Sequence, residues 1–174
     1  MNLTTDLVQE YFGKLKVKVV LQNNIFREAY ITDINGRPLL FAMTLYPNLT
    51  IPDSLEIWKA VKDNYFIGET IKSRGYSIGK INISQAQAYC PAWLLKLIGT
   101  NHSSYDAFAY DLVIQSLNNN SFIFGKIIEI IIDKSIKDLV RYKLENNVKV
   151  DALNELLRDI YNKSKINKEP IMFF

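Results

Sequence analysis

The segment from Ile25 to Leu45 constrains the fold more than any other part of the sequence, because two β-rich runs flank the turn Asp33-Ile34-Asn35-Gly36. Asn and Gly adopt positive φ values at little steric cost, and a tight hairpin turn requires such residues. The segment therefore predicts a β-hairpin and antiparallel pairing of its two strands.

The rest of the sequence places strands first and helices last. Strands are predicted over 14–19, 78–88, 108–115 and 121–132, and short helices over 4–12, 52–61 and 91–98. After Asp133, apolar residues recur at i, i+3, i+4 and i+7 among charged ones, which predicts two amphipathic helices. Because no regular βαβ alternation is present, we expect an α+β fold with a mostly antiparallel sheet and flanking helices.

Length and composition narrow the class of protein. The 174 residues predict one compact domain over residues 1–132, with residues 133–174 as a helical extension packed on the same domain. A hydrophobic content of 48% argues against disorder, and a net charge of +3 argues against a nucleic-acid partner. The longest apolar run, 123–132, is about half the length of a membrane-spanning helix.

Several residue types that often carry chemistry favour ordinary structural roles. Cys90 is the single cysteine and His102 the single histidine, so a disulfide within the chain and a CxxC metal or redox pair are excluded. The seven glycines form no phosphate-binding motif. We expect no metal and no cofactor, an inert Cys90 and a surface-loop position for His102.

Two charged residues interrupt apolar strands. Glu129 lies within Ile127-Ile128-Glu129-Ile130-Ile131-Ile132, and Arg27 alternates onto one strand face with Ile25, Ala29 and Ile31. A buried unpaired charge costs several kcal/mol, so each should find a partner or reach water. Three interpretations follow: Glu129 on an edge strand in water, an Arg27–Glu129 pair across the sheet, or a small anionic ligand held between the two.

Six segments in order resemble motifs of the chorismate pyruvate-lyase family, especially its second type, over about residues 1–132. They are Asn2-Leu3-Thr4-Thr5-Asp6-Leu7, Phe26-Arg27-Glu28-Ala29-Tyr30-Ile31, Asn35-Gly36-Arg37-Pro38-Leu39, Tyr65-Phe66-Ile67-Gly68-Glu69, Cys90-Pro91-Ala92-Trp93-Leu94 and Ile127-Ile128-Glu129-Ile130. The resemblance implies a chorismate-lyase-like antiparallel sheet with a product site under helical flaps.

The resemblance also implies a cofactor-free reaction that removes pyruvate from chorismate and leaves 4-hydroxybenzoate for quinone biosynthesis. Arg27 would bind the ring carboxylate and Glu129 the 4-hydroxyl group, as the two catalytic residues. Backbone N–H groups at Leu3 and Ile67 would assist, and Gly68 would allow close approach of the backbone. A carbon-oxygen lyase of this kind is expected as a monomer or weak oligomer in a plastid stroma or a bacterial cytoplasm.

Two other functions stay open at this point. The related fold also serves as a small-metabolite-binding domain without chemistry, so a non-catalytic binding module for aromatic carboxylates is the alternative. The amphipathic extension could instead dock a partner protein. If the extension folds over the sheet, it can exclude water from the cleft between Arg27 and Glu129.

Overall fold

A computed structural model of the chain describes residues 4–46, 50–62, 66–116, 118, 120–140 and 149–174. Its seven strands are β1 (Leu15–Gln22), β2 (Phe26–Asp33), β3 (Pro38–Leu45), β4 (Ser77–Tyr89), β5 (Ser104–Gln115), β6 (Ser121–Ile131) and β7 (Met172–Phe173). They form one antiparallel sheet in the order β1-β2-β3-β6-β5-β4-β7. The described helices are α1 (Thr4–Phe12), α2 (Pro52–Val61), α3 (Ile67–Ser73), α4 (Ala92–Ile98), α5 (Lys134–Leu139) and α6 (Val150–Lys163). The expected α+β fold with an antiparallel sheet is confirmed.

The hairpin predicted from Asn35-Gly36 joins β2 to β3. Gly36 adopts φ of +87°, and the Asp33 side chain accepts backbone hydrogen bonds from Asn35 and Arg37, each at 2.9 Å. These contacts fix the turn locally, which is why it is predictable from four residues. A left-handed Gly99 with φ of +67° likewise ends α4, as expected from the sequence.

The two faces of the sheet carry different layers. On one face, α6 packs Leu157 and Tyr161 against Phe26, Met43 and Ile128 in the largest core cluster. The other face is covered by α1, α2, α3 and α5. Alternation along β6 sends Ile128 and Ile130 to the α6 face, and Glu129 to the face under α1 and α3.

Glu129 does not lie on an edge strand. Strand β6 runs between β3 and β5, where Glu129 is in register with Ala42 on one side and Phe108 on the other. Only 6% of the residue is exposed. The edge-strand interpretation is therefore wrong, because the long-range strand order places this carboxylate in the middle of the sheet.

Within the C-terminal extension, α6 covers the face of the sheet that Arg27 and Glu129 do not occupy, whereas α5 buries Ile136 beside α1 on their own face. Glu28 of β2 is fully buried on that face and accepts hydrogen bonds from Tyr161 and Lys168, while Lys168 also lies 3.7 Å from the centre of the Trp93 ring. The final strand β7 then pairs with β4. The expectation that residues 133–174 shield the Arg27–Glu129 cleft is thus wrong for α6, because its apolar stripe packs on the opposite side of the sheet.

A glycine on β6 predicts a localised packing effect. A Cβ atom at Gly125 would lie 2.7 Å from the backbone oxygen of Leu45, whereas one at Gly79 would lie 4.0 Å from Val113. We expect Gly125→Ala to lower the free energy of unfolding by about 1–3 kcal/mol, since the neighbouring strand has to shift. Gly79→Ala is the matched control and should stay within about 0.5 kcal/mol. Urea unfolding of both variants checks this, and equal stabilities would contradict the close strand contact.

Candidate functional site

A cavity lies between the sheet and the helices α1 and α3. Its empty space is about 620 Å³, counting the open solvent at its mouth. The roof consists of Thr4, Thr5, Phe66, Ile67 and Gly68, and the floor includes Ala29, Ala42, Thr44, Leu112 and Ile127. Most of the lining is apolar, so any charged group inside it is partly desolvated.

Arg27 and Glu129 both line this cavity and lie diagonally across the sheet. Arg27 is in register with Thr44 and then Ile127, whereas Glu129 is in register with Ala42. A shift of two strands and two residues separates their Cα atoms by roughly 12 Å. Ala42 and Thr44 of β3 lie between them on the floor. These side chains are small, which leaves room for a ring-sized molecule with one end at each charge.

The Arg27 end of the cavity is cationic. Only 3% of Arg27 is exposed, and burial lowers the pKa of its guanidinium, with the neighbouring Tyr46 opposing the shift. The group nevertheless stays charged at neutral pH, and its planar set of donors matches a carboxylate. This end of the cavity is therefore suited to an anion.

The Glu129 end is built from hydrogen bonds over long sequence separations. Thr4 Oγ1 donates to Glu129 Oε2 at 2.7 Å, and Tyr110 Oη donates to Glu129 Oε1 at 2.9 Å. Thr4 comes from α1 and Tyr110 from β5, so a roof helix and a neighbouring strand hold one carboxylate. The side chain is thereby fixed in orientation at the end of the cavity opposite Arg27.

Lys80 is a member of this network that the sequence analysis did not single out. Its Nζ donates to Thr4 Oγ1 at 2.9 Å and lies 4.2 Å from the centre of the Tyr110 ring, with 4% of the residue exposed. Burial lowers the pKa of Lys80, and the charge of Glu129 opposes this shift. The available signal was a lysine that alternates with Ile78 in a β-rich run, as Arg27 does with its apolar neighbours.

The structure describes the positions of the remaining predicted site residues, with one exception. Ile67 and Gly68 begin α3 and line the roof of the cavity. Leu3 lies outside the described residues. Cys90 is buried, and burial raises the pKa of its thiol to about 12, which keeps it protonated and unreactive. His102 is exposed in a loop.

Within the described ranges, every helix is too short or too polar to traverse a lipid bilayer. In the same part of the chain, no three His, Cys, Asp or Glu side chains group together as metal ligands would.

Tyr46 beside Arg27 predicts a loss of stability in alkaline solution. Burial raises the pKa of Tyr46 from 10.0 to about 12, an effect that Arg27 opposes. The unfolded chain therefore releases this proton first, and the stabilisation present below pH 10 is lost as pH rises towards 12. As the pH rises over this range, we expect the free energy of unfolding of the wild type to fall by up to about 3 kcal/mol relative to that of Tyr46→Phe. Urea unfolding at several pH values measures it.

The half-exposed Tyr89 provides the control for this pH dependence. Its replacement by phenylalanine should leave the alkaline loss unchanged. Parallel stability profiles for the wild type and Tyr46→Phe would contradict a buried, protonated Tyr46.

Comparison with known proteins supports a statement about the fold of the chain alone. No protein-family model and no curated protein matches it. Among solved structures, PhnF from Mycobacterium smegmatis is similar with a TM-score of 0.53 and 14% identity, over 86% of this chain and 70% of that one. A structure of the PhnF C-terminal domain gives a TM-score of 0.46 and 10% identity, over 80% of this chain and 79% of that one. The chain has a chorismate-lyase-like α+β fold, with a seven-stranded antiparallel sheet and flanking helices.

Proposed function

We propose that the chain is a chorismate pyruvate-lyase that forms 4-hydroxybenzoate and pyruvate for quinone biosynthesis. The observation that carries this proposal is the placement of Arg27 and Glu129 at the two ends of one largely apolar cavity. A ring with a carboxylate at one end and a hydroxyl group at the other fits these two charges.

The protein has to contribute little covalent chemistry to this reaction. The C4 hydrogen leaves as a proton, the C3–O bond breaks, and the ring becomes aromatic. The enolpyruvate released takes up a proton at carbon and becomes pyruvate. Because the step is an elimination that changes no oxidation state, and enolpyruvate and pyruvate are tautomers, it needs neither a metal nor an external oxidant. The protein contributes by holding the reactive conformer away from water.

Each site residue takes a role in this proposal. Arg27 binds the ring carboxylate, and Glu129 accepts a hydrogen bond from the C4 hydroxyl group. The backbone N–H of Ile67, and that of Leu3, assist in positioning the ring. Gly68 allows the backbone to come close to the substrate.

A specific observation also favours the second candidate, a non-catalytic binding module for an aromatic monocarboxylate. The buried charges of Arg27, Lys80 and Glu129 sum to +1, which one carboxylate balances. Chorismate carries two carboxylates, whereas 4-hydroxybenzoate carries one. A chain that binds only the latter would use the same cavity without turnover.

Incubation of the purified chain with chorismate separates the two candidates. We expect pyruvate and 4-hydroxybenzoate to appear in equal amounts with the wild type and not with Arg27→Ala. Glu129→Gln should lower turnover more than affinity, because the amide keeps the shape but loses the charged acceptor. Tight binding of 4-hydroxybenzoate without pyruvate release from chorismate would establish the binding module instead.

A further inference from the structure

Lys80 touches both of the groups that hold Glu129. Its Nζ donates to Thr4 Oγ1 at 2.9 Å and lies 4.2 Å from the Tyr110 ring centre. Thr4 and Tyr110 in turn donate to the two oxygens of Glu129 at 2.7 and 2.9 Å. Lys80 does not form part of the cavity wall itself but lies behind Thr4 and Tyr110, so it acts on a ligand through its neighbours.

The chemistry of an ammonium group sets the direction of this hydrogen-bond chain. Lysine has donors and no acceptor, so Thr4 Oγ1 must accept from it. The single hydroxyl hydrogen of Thr4 is then committed to Glu129. Both oxygens of Glu129 receive a donor from the protein, and the carboxylate lines the cavity as an acceptor.

Charge acts in the same direction as geometry. Lys80 faces Glu129 from β4, Arg27 faces the cavity from β2, Tyr110 contributes a hydroxyl group from β5, and Asp6 lies near Lys80 on α1. Asp6 is itself paired with Lys72 at 2.6 Å. Lys80 places a positive charge near the Glu129 carboxylate, and an ionised carboxylate accepts hydrogen bonds and cannot donate one.

We propose that Lys80 is a positioning residue that keeps Glu129 an acceptor, and that it thereby makes the site selective for aromatic carboxylates with a hydrogen-bond donor opposite the carboxylate. This inference rests on the proposed function, since it assumes that such a ring lies between Arg27 and Glu129. Without Lys80, the Thr4 hydroxyl group can rotate away from Glu129, so that end of the cavity no longer discriminates a donor from a group that lacks one.

The test compares the affinities of 4-hydroxybenzoate and 4-fluorobenzoate by calorimetry at neutral pH. The two ligands are similar in size, but fluorine cannot donate a hydrogen bond. We expect the wild type to prefer 4-hydroxybenzoate by about tenfold or more, as is usual for a hydrogen bond to a charged group. Lys80→Met should reduce this preference to about threefold or less, and Lys80→Arg, which keeps the charge and the donors, should restore it.

Lys72→Met is the matched control, because Lys72 also binds a residue of α1 but is half-exposed and pairs with Asp6 rather than with Thr4. Its preference should equal that of the wild type. If Lys80→Met does not fold, Thr4→Val removes the connecting hydroxyl group and should cause the same loss of preference.

The outcomes are distinguishable. A wild type that binds neither ligand overturns the proposed function, and this inference with it. A wild type that prefers 4-hydroxybenzoate, with an unchanged preference in Lys80→Met or Thr4→Val, overturns the role of Lys80 and leaves the proposed function standing.

Discussion

Replacing Arg27 with alanine should weaken the binding of 4-hydroxybenzoate by at least about 1.5 kcal/mol, or more than tenfold in the dissociation constant. The variant loses a bidentate, charge-assisted hydrogen bond to the ligand carboxylate. This bond is strong because the site is desolvated, with only 3% of Arg27 exposed. Arg27→Lys should recover a part of the affinity, since the charge returns without the planar set of donors. Calorimetry on folded protein measures all three dissociation constants.

Arg37 provides the control for this experiment. Its side chain is 61% exposed and pairs with Asp133 away from the cavity lining. Arg37→Ala removes the same charge from the chain and should leave the affinity unchanged. If Arg27→Ala and Arg37→Ala bind the ligand equally well, the cavity is not the binding site.

Replacing Leu157 with alanine should destabilise the fold by about 2–5 kcal/mol while leaving the affinity for 4-hydroxybenzoate unchanged. Leu157 is fully buried in the cluster between α6 and the sheet, on the face opposite Arg27 and Glu129. Its loss leaves a void in that layer, and Leu157 is not among the residues that line the cavity. Urea unfolding and calorimetry provide the two readouts.

Leu156 on the same helix is the matched control, because 39% of it is exposed. Leu156→Ala should change the stability by no more than about 0.5 kcal/mol. A loss of ligand affinity in folded Leu157→Ala would contradict the separation of the two faces, and would make the C-terminal extension part of the site.

Local features of the fold could be predicted from the sequence because their causes are local. The turn at Asn35-Gly36 and the end of α4 at Gly99 depend on backbone conformations that few residues adopt. Arg27 and Glu129 were identifiable because a charge within an apolar strand needs a partner wherever the strand lies. The hairpin and these two candidate residues therefore follow from short stretches of sequence.

Features that depend on distant contacts could not be predicted. The partner of Glu129 from α1 is 125 residues away, and nothing in the local pattern connects Thr4 to β6. An amphipathic helix such as α6 has an apolar stripe, but the stripe does not indicate which face of a sheet it covers. Strand order, which places Glu129 in the centre of the sheet, is likewise a property of the whole chain.

Lys80 was missed for a different physical reason. The pairing of β4 with β5 is irregular between Ile81 and Ser84, and Asn82 adopts φ of +55°. This irregularity changes the alternation, so that Lys80 and Ile83 are both buried while Ile81 is 40% exposed. A strict two-residue period across the segment would place Ile81 and Ile83 on one face of the strand and Lys80 on the other.

A crystal structure of the chain with 4-hydroxybenzoate tests the central claim most directly. The account predicts the ligand in the cavity under α1 and α3, with its carboxylate within hydrogen-bonding distance of the Arg27 guanidinium and its hydroxyl group within that distance of Glu129. A ligand bound outside this cavity, or one bound inside it with its carboxylate directed at Glu129, would contradict the account.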